Sequence, residues 1–209
     1  MWHKAIKLIL LGFCMPCLLL FVHQSCQEWP QQNVKFEQQD PPIPEWDPNL
    51  GHGEWAVCNG KLGFHPCNLE LKDHRGNNWS LYDHYGTIVV LDFSAMWCGP
   101  CQMAAMQMQS IQDLYDENDV LFVTILFQDF VGMPPSQAAL QSWVDFFGLQ
   151  TVPVLGGDST LHDEAETHWF DLGMLPTVVV IDREHFIYYK MQGWNHLRLM
   201  DQIDNLTSI

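Results

Sequence analysis

Seven cysteines occur in the 209 residues, and three of their spacings could do chemistry. Cys98 and Cys101 flank Gly99-Pro100, Cys14 and Cys17 flank Met15-Pro16, and Cys58 and Cys67 stand nine apart. Two thiols one helical turn apart can close a small disulfide ring and open it again, provided the first is exposed at a helix N-terminus. Spacing alone decides nothing. Cys14 and Cys17 lie inside an apolar segment with no buried strand before them and no amphipathic helix after them, so that pair reads as apolar filler. Cys98 has both supports: Thr87 to Phe93 is apolar except for Asp92, and Cys101, Ala104, Ala105, Met108, Ile111 and Tyr115 recur at helical spacing.

At the start of that helix, unpaired backbone N–H groups and the positive end of the dipole favour a thiolate on Cys98, the candidate nucleophile. Cys101, on the buried stripe, is placed to attack the mixed disulfide and release the reduced partner. Pro100 fits a first turn whose N–H groups are unpaired anyway, and Gly99 keeps the approach open. Asp92 is the anomaly. Burying even a neutral polar group without a partner costs about 2–7 kcal/mol, so this carboxyl is expected to titrate high and to serve as proton acceptor for Cys101. The competing reading is an edge or partly solvated aspartate with a local hydrogen bond.

Composition bounds the rest. The formal charge is −16 and no Lys/Arg run occurs, which disfavours a nucleic-acid surface or a polybasic membrane patch. With 47% hydrophobic residues the chain is long enough for one domain plus extra sequence. Residues 1–25 carry lysines at 4 and 7 and a nearly charge-free run from Ile9 to Val22, the pattern of a signal peptide or membrane anchor. Ser25-Cys26 after that run resembles a bacterial lipoprotein signal, which makes Cys26 a lipidation candidate beside ordinary cleavage or a retained anchor. In each case the domain faces away from the cytoplasm, in the periplasm or cell envelope. Residues 26–53, with prolines at 30, 41, 42, 44 and 48, read as a polar tether. Trp29, Trp46 and Trp55 are its exceptions, and one is a candidate to dock on the domain at 54–209.

Cys58 and Cys67, with Gly60, Gly63 and Pro66 between them, suggest a stapled loop, a structural disulfide suited to an oxidising compartment. A second redox pair, or a metal site with His65, lacks a helix or further ligand spacing. Downstream, strands are expected at Asn68 to Lys72, Trp79 to Tyr85, Thr87 to Phe93, Asp119 to Phe127, Thr151 to Leu155 and Thr177 to Ile181, with Phe186 to Lys190 pairing back as a hairpin. Helices are expected after the cysteines, after a Ser136 cap through Phe147, over Glu164 to Phe170, and after Gly193. This alternation indicates an α/β fold, a central mixed β-sheet flanked by helices on both faces.

Leu91-Asp92-Phe93-Ser94-Ala95-Met96-Trp97-Cys98-Gly99-Pro100-Cys101 resembles the active-site segment of the thioredoxin-like superfamily, including the aspartate six residues before the first cysteine. Gly173-Met174-Leu175-Pro176-Thr177 resembles the segment where that fold carries a cis-proline facing the disulfide, and Gly193 its glycine after the last strand. The N-terminal signal, the segment from Asn68 to Gly86 and the insert from Phe127 to Gly157 are similar to the exported TlpA/ResA-type redoxins. The resemblance implies a thioredoxin-like fold and a thiol-disulfide oxidoreductase. Cys98, Cys101 and Asp92 would be catalytic, and Trp97, Gly99, Pro100, Leu175 and Pro176 would meet the substrate. No cofactor is implied. The implied partners are protein disulfides and, for a reductant, a membrane electron donor. Ala104 stands where cytochrome-maturation members often have glutamate, so the resemblance does not extend to apocytochrome c.

Three other readings compete. A peroxiredoxin needs Thr or Ser three residues before its cysteine and a proline further upstream, and Ala95 and Leu91 stand there instead. An exported redoxin-type copper-delivery protein would hold metal on two cysteines and a histidine; ten histidines keep it in view. Against it, its cysteines are usually one residue further apart, and His162 and His168 sit in what reads as a solvated acidic segment. A scaffold without turnover would not need the cysteines, aspartate and proline together. The sequons at Asn78 and Asn205 read as chance matches.

Overall fold

The computed structural model describes Trp55 and residues 57–208; Cys14, Cys17, Cys26, Trp29, Trp46, the signal or anchor and the tether lie outside the described residues. The apolar run before the cysteines becomes the centre of a sheet. β1 (Glu70–Asp73) and β2 (Asn78–Ser80) form an antiparallel pair turning at Gly76, whose positive φ of 87° suits a residue without Cβ. Every residue of β3 (Ile88–Ala95) is buried. It pairs in parallel with β4 (Val120–Gln128) and antiparallel with β6 (Thr177–Ile181). With β5 (Val154–Gly156) and β7 (Ile187–Gln192), the described strands form one sheet of seven in the order β2-β1-β5-β4-β3-β6-β7.

The pleat sorts side chains into two cores. Ile88, Val90, Phe122, Val178 and Val180 face one side and meet three α-helices: α1 (Gly99–Gln112), α2 (Gln137–Phe147) and α3 (His196–Thr207). Val89, Leu91, Phe93, Val123, Ile125 and Val179 face the other. There the cover is two short 3-10 helices, Leu81–His84 and Ser159–Leu161, together with Phe170 and Leu172 from a loop. Helices thus lie on both faces, long on one and single-turn on the other.

Local signals explain most of the boundaries. Ser136 Oγ accepts the Ala139 N–H at 3.2 Å, and Gly148 ends α2 in the left-handed region at φ 66°. Asn195 Oδ1 caps α3 through the Arg198 N–H at 3.1 Å. Gln112 is buried at the end of α1, where its carboxamide donates to the Val120 carbonyl and accepts from the Phe122 N–H, satisfying β4 before its pairing with β5 begins at Thr124.

Three expected elements differ. Trp79 to Tyr85 is strand only through Ser80, because the Asn68 side-chain carbonyl accepts from both Ser80 Oγ and the Tyr82 N–H and turns the chain into a 3-10 helix. The Thr151 strand starts only at Val154, after Pro153, which has no N–H to give a ladder. Glu164 to Phe170 forms no helix. The Asp163 carboxylate instead accepts N–H groups from Ala165, Thr167 and His168, a local alternative to helical bonding, and Glu166, at φ 51°, pairs with the Lys190 ammonium.

Cys58 and Cys67 are joined, with Cα atoms 4.8 Å apart. Closing so short a loop restricts the unfolded chain by about 3 kcal/mol. Trp55 docks beside it, stacked on His65 at 3.5 Å and 6°, while His65 Nδ1–H donates to the His185 carbonyl. The loop lies against the segment before β6, where a Cβ on Gly60 would fall 1.8 Å from the Trp169 carbonyl oxygen. Gly60→Ala must therefore push two backbones apart, and an equilibrium denaturation curve is expected to show a loss of about 1–3 kcal/mol.

Candidate active site

The site is built where β3 turns into α1. The Met96 N–H reaches the Gln128 carbonyl at 2.9 Å, the Cys98 N–H bonds to the Ala95 carbonyl at 3.1 Å, and the Gln102 carboxamide donates to the Met96 carbonyl at 2.8 Å. These bonds fix the first turn of α1 against the end of the sheet. Cys98 is its N-cap in extended conformation, and its Sγ accepts the Cys101 N–H at 3.2 Å. Cys98 and Cys101 are joined as a disulfide, with Cα atoms 5.2 Å apart. Cys101 is fully buried, and Cys98, expected to be exposed at the helix start, is itself only 5% exposed in the disulfide form. Pro100 lies in the first turn of the helix, and open space surrounds the position a Cβ on Gly99 would occupy.

A cleft of about 490 Å³ opens over the dithiol, lined among others by Trp97, Cys98, Gly99, Pro100 and Leu175. Trp97 is exposed, and its indole N–H donates to Gln128 Oε1 at 2.9 Å. The Leu175-Pro176 peptide bond is cis, and Leu175 packs against Ala95, Cys98 and Cys101. Pro176 itself is buried and does not line the cleft. Phe127, Leu172, Gly173 and Met174, not assigned to the substrate surface from the sequence, also line it. Leu172, Gly173 and Met174 run directly into Leu175-Pro176, whereas Phe127 arrives from the end of β4.

Asp92 is 1% exposed and sits in the central strand, which removes the edge-strand reading. Its register partners are Thr124 and Val178, and its parity in β3 matches Val90, placing it on the face covered by α1. Burial pushes its carboxyl up to about 7, against two hydroxyl bonds that pull it down, from Ser94 at 2.9 Å and Thr124 at 3.4 Å. Neither hydroxyl was singled out from the sequence. Ser94 shares the face by the two-residue period, a signal that was available; Thr124 comes from the neighbouring strand.

The other candidates are distributed elsewhere. His65 is engaged with Trp55 and the His185 carbonyl, not with Cys58 and Cys67. The segment from His162 to His168 is more than a solvated stretch: His162 Nδ1 accepts the Leu172 N–H at 2.9 Å, and His168 Nδ1 lies 3.1 Å from Cys67 Sγ. Among the described residues, one group of three His, Cys, Asp or Glu side chains brings its ligand atoms within 4.8 Å: Cys58, Cys67 and His168, with the two sulfurs already bonded to each other. Among the described residues no histidine joins Cys98 and Cys101 in such a group, and no helix is long and apolar enough to cross a membrane.

A mixed sheet with this strand order, carrying a dithiol at the N-terminus of the helix after an interior strand and a cis X-Pro bond whose preceding residue, Leu175, packs on the two cysteines, defines a thioredoxin-like fold. The solution structure of a putative protein disulfide isomerase from Bacteroides thetaiotaomicron superposes with a TM-score of 0.58 at 20% identity, covering 73% of this chain and 94% of that one. Residues 65–190 match the AhpC/TSA family, more than half of the sequence, and the chain belongs to that family. It is 24% identical over 120 residues to the thioredoxin-like protein YneN of Bacillus subtilis, covering 57% of this chain and 65% of that protein. With the thiol-disulfide oxidoreductase ResA of Geobacillus kaustophilus it shares 26% over 113 residues, covering 54% and 59%. The chain therefore spans somewhat under two thirds of each of these curated relatives.

Asp92 has a measurable signature in stability. Its folded pKa of about 7 lies above the ordinary 3.8, so the folded state binds a proton that the unfolded state has released, and stability falls as pH rises from about 4 to 7. Asp92→Asn removes that dependence. The variant is expected to gain up to about 4 kcal/mol over the parent at pH 8, with the difference vanishing near pH 3.5, as measured by denaturant titration across pH.

Proposed function

We propose that this protein is an exported thiol-disulfide oxidoreductase that works through the Cys98–Cys101 pair and acts as a reductant of protein disulfides. The observation that carries the reading is the pairing of a helix-capping cysteine with a buried carboxyl poised near neutrality on the same side of the sheet. In the reduced enzyme the Cys98 thiolate, stabilised by the N–H groups of the first turn of α1, attacks a substrate disulfide and displaces one substrate thiolate. Asp92 takes the proton from Cys101, directly or through water, and Cys101 attacks Cys98 Sγ to release the second substrate thiol and leave the 98–101 disulfide. The backbone of Leu175, set by the cis bond to Pro176, and the faces of Trp97, Gly99 and Pro100 receive the extended substrate chain around its cysteine. The names of the relatives ResA and YneN agree with this class of reaction.

Export rests on the N-terminal pattern, with Cys26 as the lipidation candidate and residues 26–53 as tether. It fits the Cys58–Cys67 disulfide, which belongs in an oxidising compartment. A reductant there needs electrons from a membrane donor. Gly-Pro between the cysteines is the feature that favours reduction over oxidation. Copper delivery is the weaker reading, since no described histidine stands within ligand reach of both Cys98 and Cys101.

Cys101→Ser is expected to accumulate mixed disulfides through Cys98, seen as adducts on non-reducing gels that thiol reductant removes. A reductant is expected to equilibrate near −270 mV, whereas a value near −120 mV would make the protein an oxidant. If Cys101→Ser traps no partner and the parent fails to reduce a model disulfide, the assignment is wrong.

A further inference from the structure

The Cys58–Cys67 disulfide has a feature that a structural staple does not need. Cys67 is 3% exposed and Cys58 half-buried, and the exposed imidazole of His168, 101 residues further along, places Nδ1 3.1 Å from Cys67 Sγ. A disulfide sulfur carries no hydrogen, so the imidazole N–H is the donor in this contact. The imidazole is held there. The Asp163 carboxylate accepts the backbone N–H groups of Thr167 and His168 at 2.8 and 3.0 Å, and the Trp169 ring lies edge-on to the imidazole at 4.4 Å.

The loop between the two cysteines is also held by bonds that do not run through sulfur. The Asn59 N–H meets the His65 carbonyl, the Gly60 N–H the Glu166 carbonyl, and Gly63 and Phe64 exchange bonds with Ile187. Lys190 Nζ donates to the Gly60 carbonyl at 3.1 Å. With these in place the sulfur–sulfur bond can open while the loop keeps its seat.

We propose that Cys58–Cys67 is a second exchangeable disulfide, with Cys58 as the sulfur attacked and His168 as proton donor to the departing Cys67. The reductant is a dithiol, small or protein-borne. One of its thiolates attacks Cys58 Sγ, the Cys58–Cys67 bond breaks, and the Cys67 thiolate takes the Nδ1 proton of the His168 imidazolium, which is left as the neutral Nε2–H tautomer. The second thiolate of the dithiol then attacks its own sulfur in the mixed disulfide and releases Cys58, which is protonated from solvent, as is His168. Two electrons and two protons pass to the protein and the dithiol becomes a disulfide. In reverse, His168 takes the proton from Cys67. The asymmetry of the pair suits this direction of attack: the more accessible sulfur is the electrophile, and the buried one leaves beside a proton source. The proposal concerns different sulfurs from the 98–101 reading and stands or falls separately.

The test uses the oxidised full-length chain exposed to graded dithiothreitol, quenched in acid, alkylated and mapped by peptide. Trypsin cleaves at Lys61 and so separates Cys58 from Cys67. Both cysteines are expected to become alkylated together while the circular dichroism stays native. His168→Ala should slow their reduction about 100-fold, the low end of what a positioned proton donor supplies. Added imidazole should restore the rate, and reduction of Cys98–Cys101 in the same samples should be unchanged. The proposal is overturned if the parent's Cys58–Cys67 opens only when the chain unfolds, or if His168→Ala reduces at the parental rate. A slowdown that imidazole does not rescue, or that Cys98–Cys101 shares, also overturns it, because it would reflect altered folding.

Discussion

The structure depends on a helix whose first turn is capped by sulfur. A helix start leaves N–H groups without partners, and the usual cap is an oxygen from Ser, Thr, Asp or Asn. Here the acceptor is Cys98 Sγ, bonded to the Cys101 N–H. Sulfur is a weaker acceptor than oxygen, and what it accepts more strongly is charge: the same N–H groups that make a modest bond to a disulfide sulfur stabilise a thiolate better. The capping interaction is thus the electrostatic bias of the candidate nucleophile. The bonds of Met96 to Gln128, Cys98 to Ala95 and Gln102 to Met96 hold the strand end and helix start in register with it.

The second constraint lies beneath. A carboxyl group in a strand with no exposed residue must be neutral, hydrogen-bonded or hydrated. Asp92 is hydrogen-bonded, with two hydroxyl donors, and its burial favours the neutral form strongly enough to push its pKa up to about 7. Nonpolar side chains would pack there at less cost. The group is costly in its charged form and stable in its neutral one, which is the property a transient proton carrier requires.

Where the sequence was legible, the signal was local. The buried strand at β3, the apolar stripe of α1, the Ser136 cap and Gly148 stop of α2, and the hairpin of β6 and β7 all come from periodicity and caps within a few residues. The cysteine pair and Asp92 stood out for the same reason, one by spacing and the other as a charge in an apolar run. What stayed hidden depends on partners far along the chain. The Asp163 segment lacks a helix because its own carboxylate and Lys190 satisfy it otherwise. His168 gains chemical meaning only through Cys67, and Thr124 only through its register with Asp92. The Trp79 strand is shortened by Asn68, which reads as an unremarkable polar residue until the turn brings it opposite.

The sheet is also a partition. From Ile88 to Phe93, even-numbered residues of β3 look toward the helices and odd-numbered ones toward Phe170 and the short 3-10 turns, so each side has its own oily compartment. Inserting or deleting one residue in β3 before position 92 would exchange the two sets, carrying the carboxyl through the sheet into the compartment with Leu69 and Leu161 and bringing Leu91 or Phe93 to the helix side. Strand parity therefore acts as an address: it decides on which side of the septum the buried carboxyl lies. Variation in length is confined by this to the connections outside the strand, such as residues 129–136, where Phe130, Val131 and Met133 stand exposed and can change in number without relocating the acid.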